Sequence, residues 1–337
     1  MIHFAHGFVR STEPIVLRYV HRGDLAGQAA GSEATEPRRA VLISRVGVNA
    51  SSRDQRLPDT FMQHVDQAGR QTLESIASHL REAVARATLV TDPGPYMVIA
   101  DLLPSEIYTE LLDTMPPPEA FDVADKTKAN FDPSITEGAP ARSREAWSRF
   151  HTDVVNGVLT PILLEAFRPC MAVAYQTHFG PPLAEAALSL PHHAFQGRLM
   201  LRRPGYRLKP HRDKKRASMT GLVYFARPGD SREYGTELYR IFEDQQAPVM
   251  KTYYPEAHGG RAELVRTVPF VGNTALIFMN VPGMAHGAGI PRDALQPERY
   301  AYQFYIGPPK SDLVSLVRQL PQEQAAAWNA KLSDDEY

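Results

Sequence analysis

The chain has 337 residues, with 37 Lys+Arg against 38 Asp+Glu and a formal net charge of −1. Hydrophobic residues at 43% and charged residues at 22% exclude a disordered chain, and the near-neutral charge gives no reason to expect nucleic acid or an anionic membrane as partner. A single cysteine, Cys170, excludes an intrachain disulfide and points to a reducing, cytoplasmic setting.

The opening MIHFAHGFVRSTEP lacks the basic-then-apolar order of a signal peptide. An uninterrupted apolar run of about 18 residues, the mark of a spanning helix, is not found. Residues 1–90 read as an N-terminal extension. Pro14 to Val20 and Ala40 to Val48 are strand-like in their Val and Ile content, and the Gly-, Ala- and acid-rich stretch between them reads as a linker. From Asp59, a plausible N-cap, to Thr88 the pattern is helical, with Leu73, Ile76, Ala77, Leu80, Val84 and Ala87 at three- and four-residue spacings.

A second unit spans residues 94–310. Met97 to Leu103 predicts a strand, and Pro104 to Met115 a helix with Ser105 as N-cap. The Pro-rich segment 116–143 reads as a loop and, from its length, as a lid. Arg144 to Phe167 is helical and interrupted by Pro161. From Arg198 onward the runs RLMLR, SMTGLVYFA, ELYRIF, AELVRTVPFV, NTALIFMNV and RYAYQFYIG are separated by Gly, Pro and Asp clusters. Short, turn-punctuated strands preceded by helices predict an α+β fold, a jelly roll with a helical layer against one face. Residues 311–337 read as a C-terminal helical tail.

The pattern His-x-Asp occurs three times, at His64/Asp66, His151/Asp153 and His211/Asp213. On a helix, residues two apart point in nearly opposite directions and cannot share a metal. The first two pairs fall in helical patterns. His211/Asp213 leaves a strand and turn, where both side chains face the same way. A facial triad of two histidines and a carboxylate needs one more ligand from a distant strand. His286 qualifies, because it follows the apolar strand NTALIFMNV within GMAHGAG, where glycines permit close backbone approach. Beyond it, Arg299 opens the strand RYAYQFYIG. An interior guanidinium needs an anionic partner, and the distal carboxylate of a dicarboxylic cosubstrate would provide a bidentate one.

With these residues in place, the sequence resembles the 2-oxoglutarate- and Fe(II)-dependent oxygenases, in particular their prolyl-hydroxylase-like branch. The resemblance is carried by PHRD (His211, Asp213), TGLVYF (Tyr224), YGTELYRIF (Gly235 to Phe242), AHG (His286) and RYAYQFYI (Arg299), and by the opening PYMVIADLLPSEIYTELL. It implies a double-stranded β-helix of cupin-like form. It also implies His211, Asp213 and His286 as iron ligands and Arg299 as partner of the 5-carboxylate of 2-oxoglutarate. Many members place Ser or Thr two residues after that arginine; here the position is Ala301, so Tyr224 is expected to supply the assisting hydroxyl. Fe(II), 2-oxoglutarate and O2 are the implied cofactor and cosubstrates, with succinate and CO2 released.

The segment 198–216 holds nine basic residues and Asp213 as its single acid. It reads equally as an electropositive mouth for an anionic substrate and as a solvated face, with Arg198 and Arg202 the candidates for substrate contact because strand alternation puts them on one side. The expected activity is hydroxylation of an unactivated C–H bond in a small polar or anionic metabolite. A peptidyl or carrier-tethered substrate, and a non-catalytic cupin-like module that holds a metal or sugar, are the alternatives.

Overall fold

Two periodicities organise the chain: alternating or continuous apolar runs in its second half, and helical spacing before them. The computed structural model describes residues 67–134, 138–214, 216–244, 252–295, 298–326 and 328. The expectations for residues 1–66, including the two strand-like stretches, the Asp59 cap and the pair His64/Asp66, fall outside these residues, as does the end of the expected C-terminal tail from 329 to 337.

The described strands are β1 (Tyr96–Ile99), β2 (Asp122–Asp125), β3 (Lys128–Phe131), β4 (His193–Arg202), β5 (Arg207–His211), β6 (Met219–Tyr224), β7 (Thr236–Phe242), β8 (Arg261–Val268), β9 (Thr274–Met279), β10 (Met284–Gly289) and β11 (Arg299–Gly307). They form two sheets, ordered β1-β9-β6-β11-β4-β3-β2 and β5-β10-β7-β8, and every pairing is antiparallel. The central strands β6, β9 and β11 are buried along their whole length. Both faces of these strands are covered, which accounts for their nearly continuous apolar sequence. The edge strand β8 is mostly exposed and carries Arg261, Glu263 and Arg266, charges that discourage pairing with another chain.

The helices are α1 (Gln67–Arg86), α2 (Ser105–Asp113), α3 (Ala141–Arg149), α4 (Thr160–Phe179), α5 (Pro181–Ser189), α6 (Lys310–Val317) and α7 (Gln322–Ala326), with a π-helical stretch, Phe150–Leu159, joining α3 to α4. Alternation on β11 divides its side chains. Arg299, Ala301 and Gln303 face the space between the sheets. Tyr302 faces the helical layer, its ring 5.7 Å from Trp147 and 5.0 Å from Phe150. Leu73, Ile76, Ala77, Leu80 and Val84 of α1 join the same core, as do Leu313, Leu316 and Val317 of α6.

Four expectations are corrected. The segment 116–143 is not loop throughout: among its described residues β2 and β3 form a hairpin that extends the large sheet beyond β4. Its turn is closed by Asp125 Oδ1, which accepts from the backbone N–H and the hydroxyl of Thr127, both at 2.7 Å. Ser105 is the first helical residue of α2, preceded by Pro104, and makes no capping hydrogen bond. Pro161 does not interrupt its helix: α4 continues from the π-helical stretch without a break. The wider π turns precede it, with the Thr160 hydroxyl donating to Val155 O at 2.8 Å. The resulting 39-residue helix, Ala141–Phe179, is long and apolar enough by length and composition to cross a membrane, contrary to the sequence expectation. Val155, Val158, Leu159, Leu163 and Phe167 of that helix are fully buried in the core.

The start of β7 depends on Gly235. A Cβ there would lie 1.5 Å from Val268 O, a backbone atom that cannot yield. Only glycine allows this approach, and it places Thr236 beneath the space between the sheets.

Candidate metal centre

His211 ends β5, and the register of β10 on β5 sets His286 directly opposite it. Their ring centroids are 4.1 Å apart. Asp213 follows two residues later, with its carboxylate 3.6 Å from His211 Nε2 and 3.7 Å from His286 Nε2. The three residues are buried, and their ligand atoms lie within 4.8 Å of one another. His211 Nδ1 is 3.0 Å from Lys209 O. A carbonyl can only accept, so Nδ1 carries the proton and Nε2 presents its lone pair to the centre. Burial first, and then the facing His211, push the imidazole of His286 down to about 3, so it is neutral at ordinary pH. Burial opposes ionisation of Asp213, but the two histidines and the Thr220 hydroxyl hold its carboxyl well below the usual carboxylate range. Two imidazoles and one carboxylate are the donor set for a divalent transition metal with open positions.

A polar chain fixes the carboxylate from behind. Asn280 Nδ2 donates to Thr220 Oγ1 at 2.9 Å, and Thr220 Oγ1 donates to Asp213 Oδ2 at 2.8 Å. Thr220 and Asn280 were not singled out in the sequence, since nothing local marks them. Partners of this kind typically contribute ten- to hundred-fold in metal affinity. Thr220→Val keeps the shape and removes the donor, so Mn(II) affinity measured by calorimetric titration is expected to fall by about that factor. Affinity within two-fold of the unaltered protein would show that the hydroxyl does not orient Asp213.

The ligands open into a cavity of about 160 Å³ between the two sheets. Arg299 lines it and is 4% exposed. Among the described residues it has no acidic partner; its Nη2 donates to Thr236 Oγ1 at 3.3 Å, while its Nε is buried without a partner. Its guanidinium lies 5.4 Å from the Tyr224 ring and 5.2 Å from the Phe270 ring. Burial lowers its pKa from the ordinary value. Tyr224 is fully buried and donates to Thr236 Oγ1 at 2.8 Å. It is not among the residues lining the cavity, whereas Thr236 is. Thr236 Oγ1 already accepts two hydrogen bonds, so its own proton is left to be donated.

Arg198 and Arg202 both line the cavity. Arg198 Nε and Nη2 donate to Gln303 Oε1 at 2.9 and 2.6 Å. Arg202 donates to Ala129 O at 2.7 Å and to Asn130 Oδ1 at 3.0 Å. Of the other basic residues in 198–216, Arg203 pairs with Glu298, Arg207 with Glu237 and Arg212 with Asp244. Lys128 also lines the cavity; it lay in the segment read as a loop, although KANF alternates as a strand does. His151 lies away from the ligands, its Nδ1 2.8 Å from the Tyr302 hydroxyl. Burial pushes the Cys170 thiol up to about 11, which keeps it protonated.

No protein-family model matches the sequence, and no curated protein matches it. Solved structures similar to this chain are 2-oxoglutarate/Fe(II) oxygenases and proteins that bind the same cosubstrate. HygX from Streptomyces hygroscopicus, with nickel, 2-oxoglutarate and hygromycin B bound, is 14% identical over 64% of this chain and 83% of its own, with a TM-score of 0.37. A prolyl-4-hydroxylase from Pseudomonas putida is 13% identical over 69% of this chain and 100% of its own, with a TM-score of 0.35. An oxidoreductase of the 2OG-Fe(II) oxygenase family from Burkholderia pseudomallei is 7% identical over 70% of this chain and 89% of its own, with a TM-score of 0.35. At such distances it is the site's own geometry that bears on function.

Proposed function

We propose that this protein is an Fe(II)- and 2-oxoglutarate-dependent oxygenase that hydroxylates a small molecule, and that its two facing sheets form a double-stranded β-helix. One observation carries the reading: a buried His211/Asp213/His286 donor set opens into the same cavity as a buried arginine that has no acidic partner among the described residues. A metal-storing or sugar-binding module has use for the first and none for the second.

His211, Asp213 and His286 would hold Fe(II) on one face and leave positions open. The bound iron, with 2-oxoglutarate and O2, supplies the oxidising chemistry, releasing succinate and CO2. The protein's own residues bind and orient. Arg299 offers a guanidinium fork whose Nε is unpartnered, suited to the distal carboxylate of 2-oxoglutarate. Thr236, with its proton left to donate, adds the hydroxyl that the sequence sought in Tyr224; Tyr224 acts from below by holding Thr236. Phe278, Leu222 and Ala301 supply apolar surface around the centre, which keeps water from competing for the reactive site. A reducing, cytoplasmic setting belongs to the same proposal, because it keeps iron ferrous.

Thermal melting with Mn(II), with and without 2-oxoglutarate, tests the reading. A ligand that binds only the native state stabilises it, by about 2.7 kcal/mol at a hundred times its dissociation constant. The melting temperature is therefore expected to rise with 2-oxoglutarate when Mn(II) is present, and absence of any shift would sink the oxygenase assignment.

A further inference from the structure

The registers of three neighbouring strands align cationic side chains in one row. Lys128 on β3 lies opposite Arg202 on β4, and Arg202 lies opposite Arg299 on β11. All three line the cavity, as does Arg198, four residues along β4 on the same face. Like charges abreast on adjacent strands repel. Lys128 registers this: burial first, then Arg202 and Arg198, lower its pKa from the ordinary value. Against these four cations the cavity lining includes, among the described residues, one carboxylate, Asp213.

Among the described residues no ion pair neutralises the row, and Asp125 offsets only part of the repulsion at Lys128. Lys128, Arg198 and Arg202 make no ion pair with a described residue. Arg202, 4% exposed, is tied to Ala129 O, Leu201 O and Asn130 Oδ1, yet its Nε is buried without a partner. Gln303 holds Arg198 through two donors on one oxygen, which orients a guanidinium without removing its charge. Arg202 and Arg299 are the buried members of the row, and buried charges persist where a partner compensates them. The proposed cosubstrates do not: two charges on Fe(II) are balanced by two on 2-oxoglutarate, so the cavity keeps the excess of its four cations over Asp213.

We propose that Lys128, Arg198 and Arg202 form a second anion-binding subsite, which takes a phosphate or carboxylate group on the molecule to be oxidised. This rests on the oxygenase reading and adds the class of its substrate. Arg299 is reserved for 2-oxoglutarate by its place beside Thr236. The other three cations lie on β3 and β4, to one side of β11, and so select a substrate whose anionic end sits away from the cosubstrate. Guanidinium forks suit the planar or tetrahedral oxygens of either group, with the lysine as a point charge beside them.

The test is thermal melting of the full chain with Mn(II) and saturating 2-oxoglutarate, to which methyl phosphate or acetate is added, with sodium chloride at matched ionic strength as control. At least one probe is expected to raise the melting temperature beyond the control. A response to methyl phosphate alone assigns a phosphate group, and any response to acetate assigns a carboxylate. In the double variant Lys128→Gln/Arg198→Gln, the concentration giving a half-maximal shift is expected to rise at least about ten-fold. Lys128→Gln alone, at a partly exposed position, serves if the double variant does not fold. No response to either probe, or an unchanged response in the variant, overturns the subsite. Failure of 2-oxoglutarate itself to stabilise the unaltered protein overturns the oxygenase reading instead, so the two failures are told apart.

Discussion

Asp213→Ala is expected to abolish 2-oxoglutarate-dependent succinate formation while the fold persists. Removing even an outer partner of a metal ligand typically costs ten- to hundred-fold in affinity or activity. Loss of the ligand itself, the only anionic one of the three, should exceed about a hundred-fold. The structural cost is smaller. Alanine leaves Thr220 Oγ1 without the acceptor it now has at 2.8 Å, and one buried polar group left unsatisfied costs about 1–3 kcal/mol. His211 keeps its hydrogen bond to Lys209 O, and the pairing of β5 with β10 does not involve the Asp213 side chain. The check is succinate release at saturating metal, together with a denaturant midpoint for the variant. Undiminished turnover would mean that the ligand set is wrongly assigned.

The same residue shows how much of the site was legible in the sequence. Chelation by residues two apart needs an extended backbone, and PHRD follows a strand-forming stretch; His286 lies among glycines, where strands approach closely. Those are local properties, and they pointed to residues that the structure gathers within 4.8 Å. Strand alternation likewise placed Arg299, Ala301 and Gln303 on one face of β11. Lys128, Thr220 and Thr236 were not legible, because each matters through a partner from a distant segment. Lys128 faces Arg202 only through the pairing of β3 with β4, and Thr236 reaches Arg299 from the other sheet. Register between distant segments is a property of the folded chain, and no short window of sequence contains it. Pro161 also failed as a helix breaker. The rule expects a break in a helix interior, yet the chain stays helical through Pro161, just after the wider π-helical turns, and through Pro169.

Arg299→Met is expected to separate binding from stability, with effects of opposite sign. The arginine contributes cation–π contact with Tyr224 and Phe270, about 0.5–2 kcal/mol. It also donates one hydrogen bond to Thr236 at 3.3 Å, about 1 kcal/mol. Against these stands a guanidinium that is 4% exposed with no acidic partner and an unsatisfied Nε, and an uncompensated buried charge costs several kcal/mol. Methionine fills similar space without the charge and adapts to irregular surroundings. The metal-free variant should therefore be at least as stable as the unaltered protein. Binding of 2-oxoglutarate should weaken, because a charge-assisted hydrogen bond contributes about 1.5–3 kcal/mol, which corresponds to roughly ten- to hundred-fold in affinity. Chemical denaturation without metal and calorimetric titration of 2-oxoglutarate with Mn(II) read the two effects separately. A variant that lost several kcal/mol of stability yet bound 2-oxoglutarate normally would make Arg299 a packing residue and leave the cosubstrate without its anchor. Gain in stability with loss of binding is the signature of a charge kept for a ligand, since the fold alone would be better off without it.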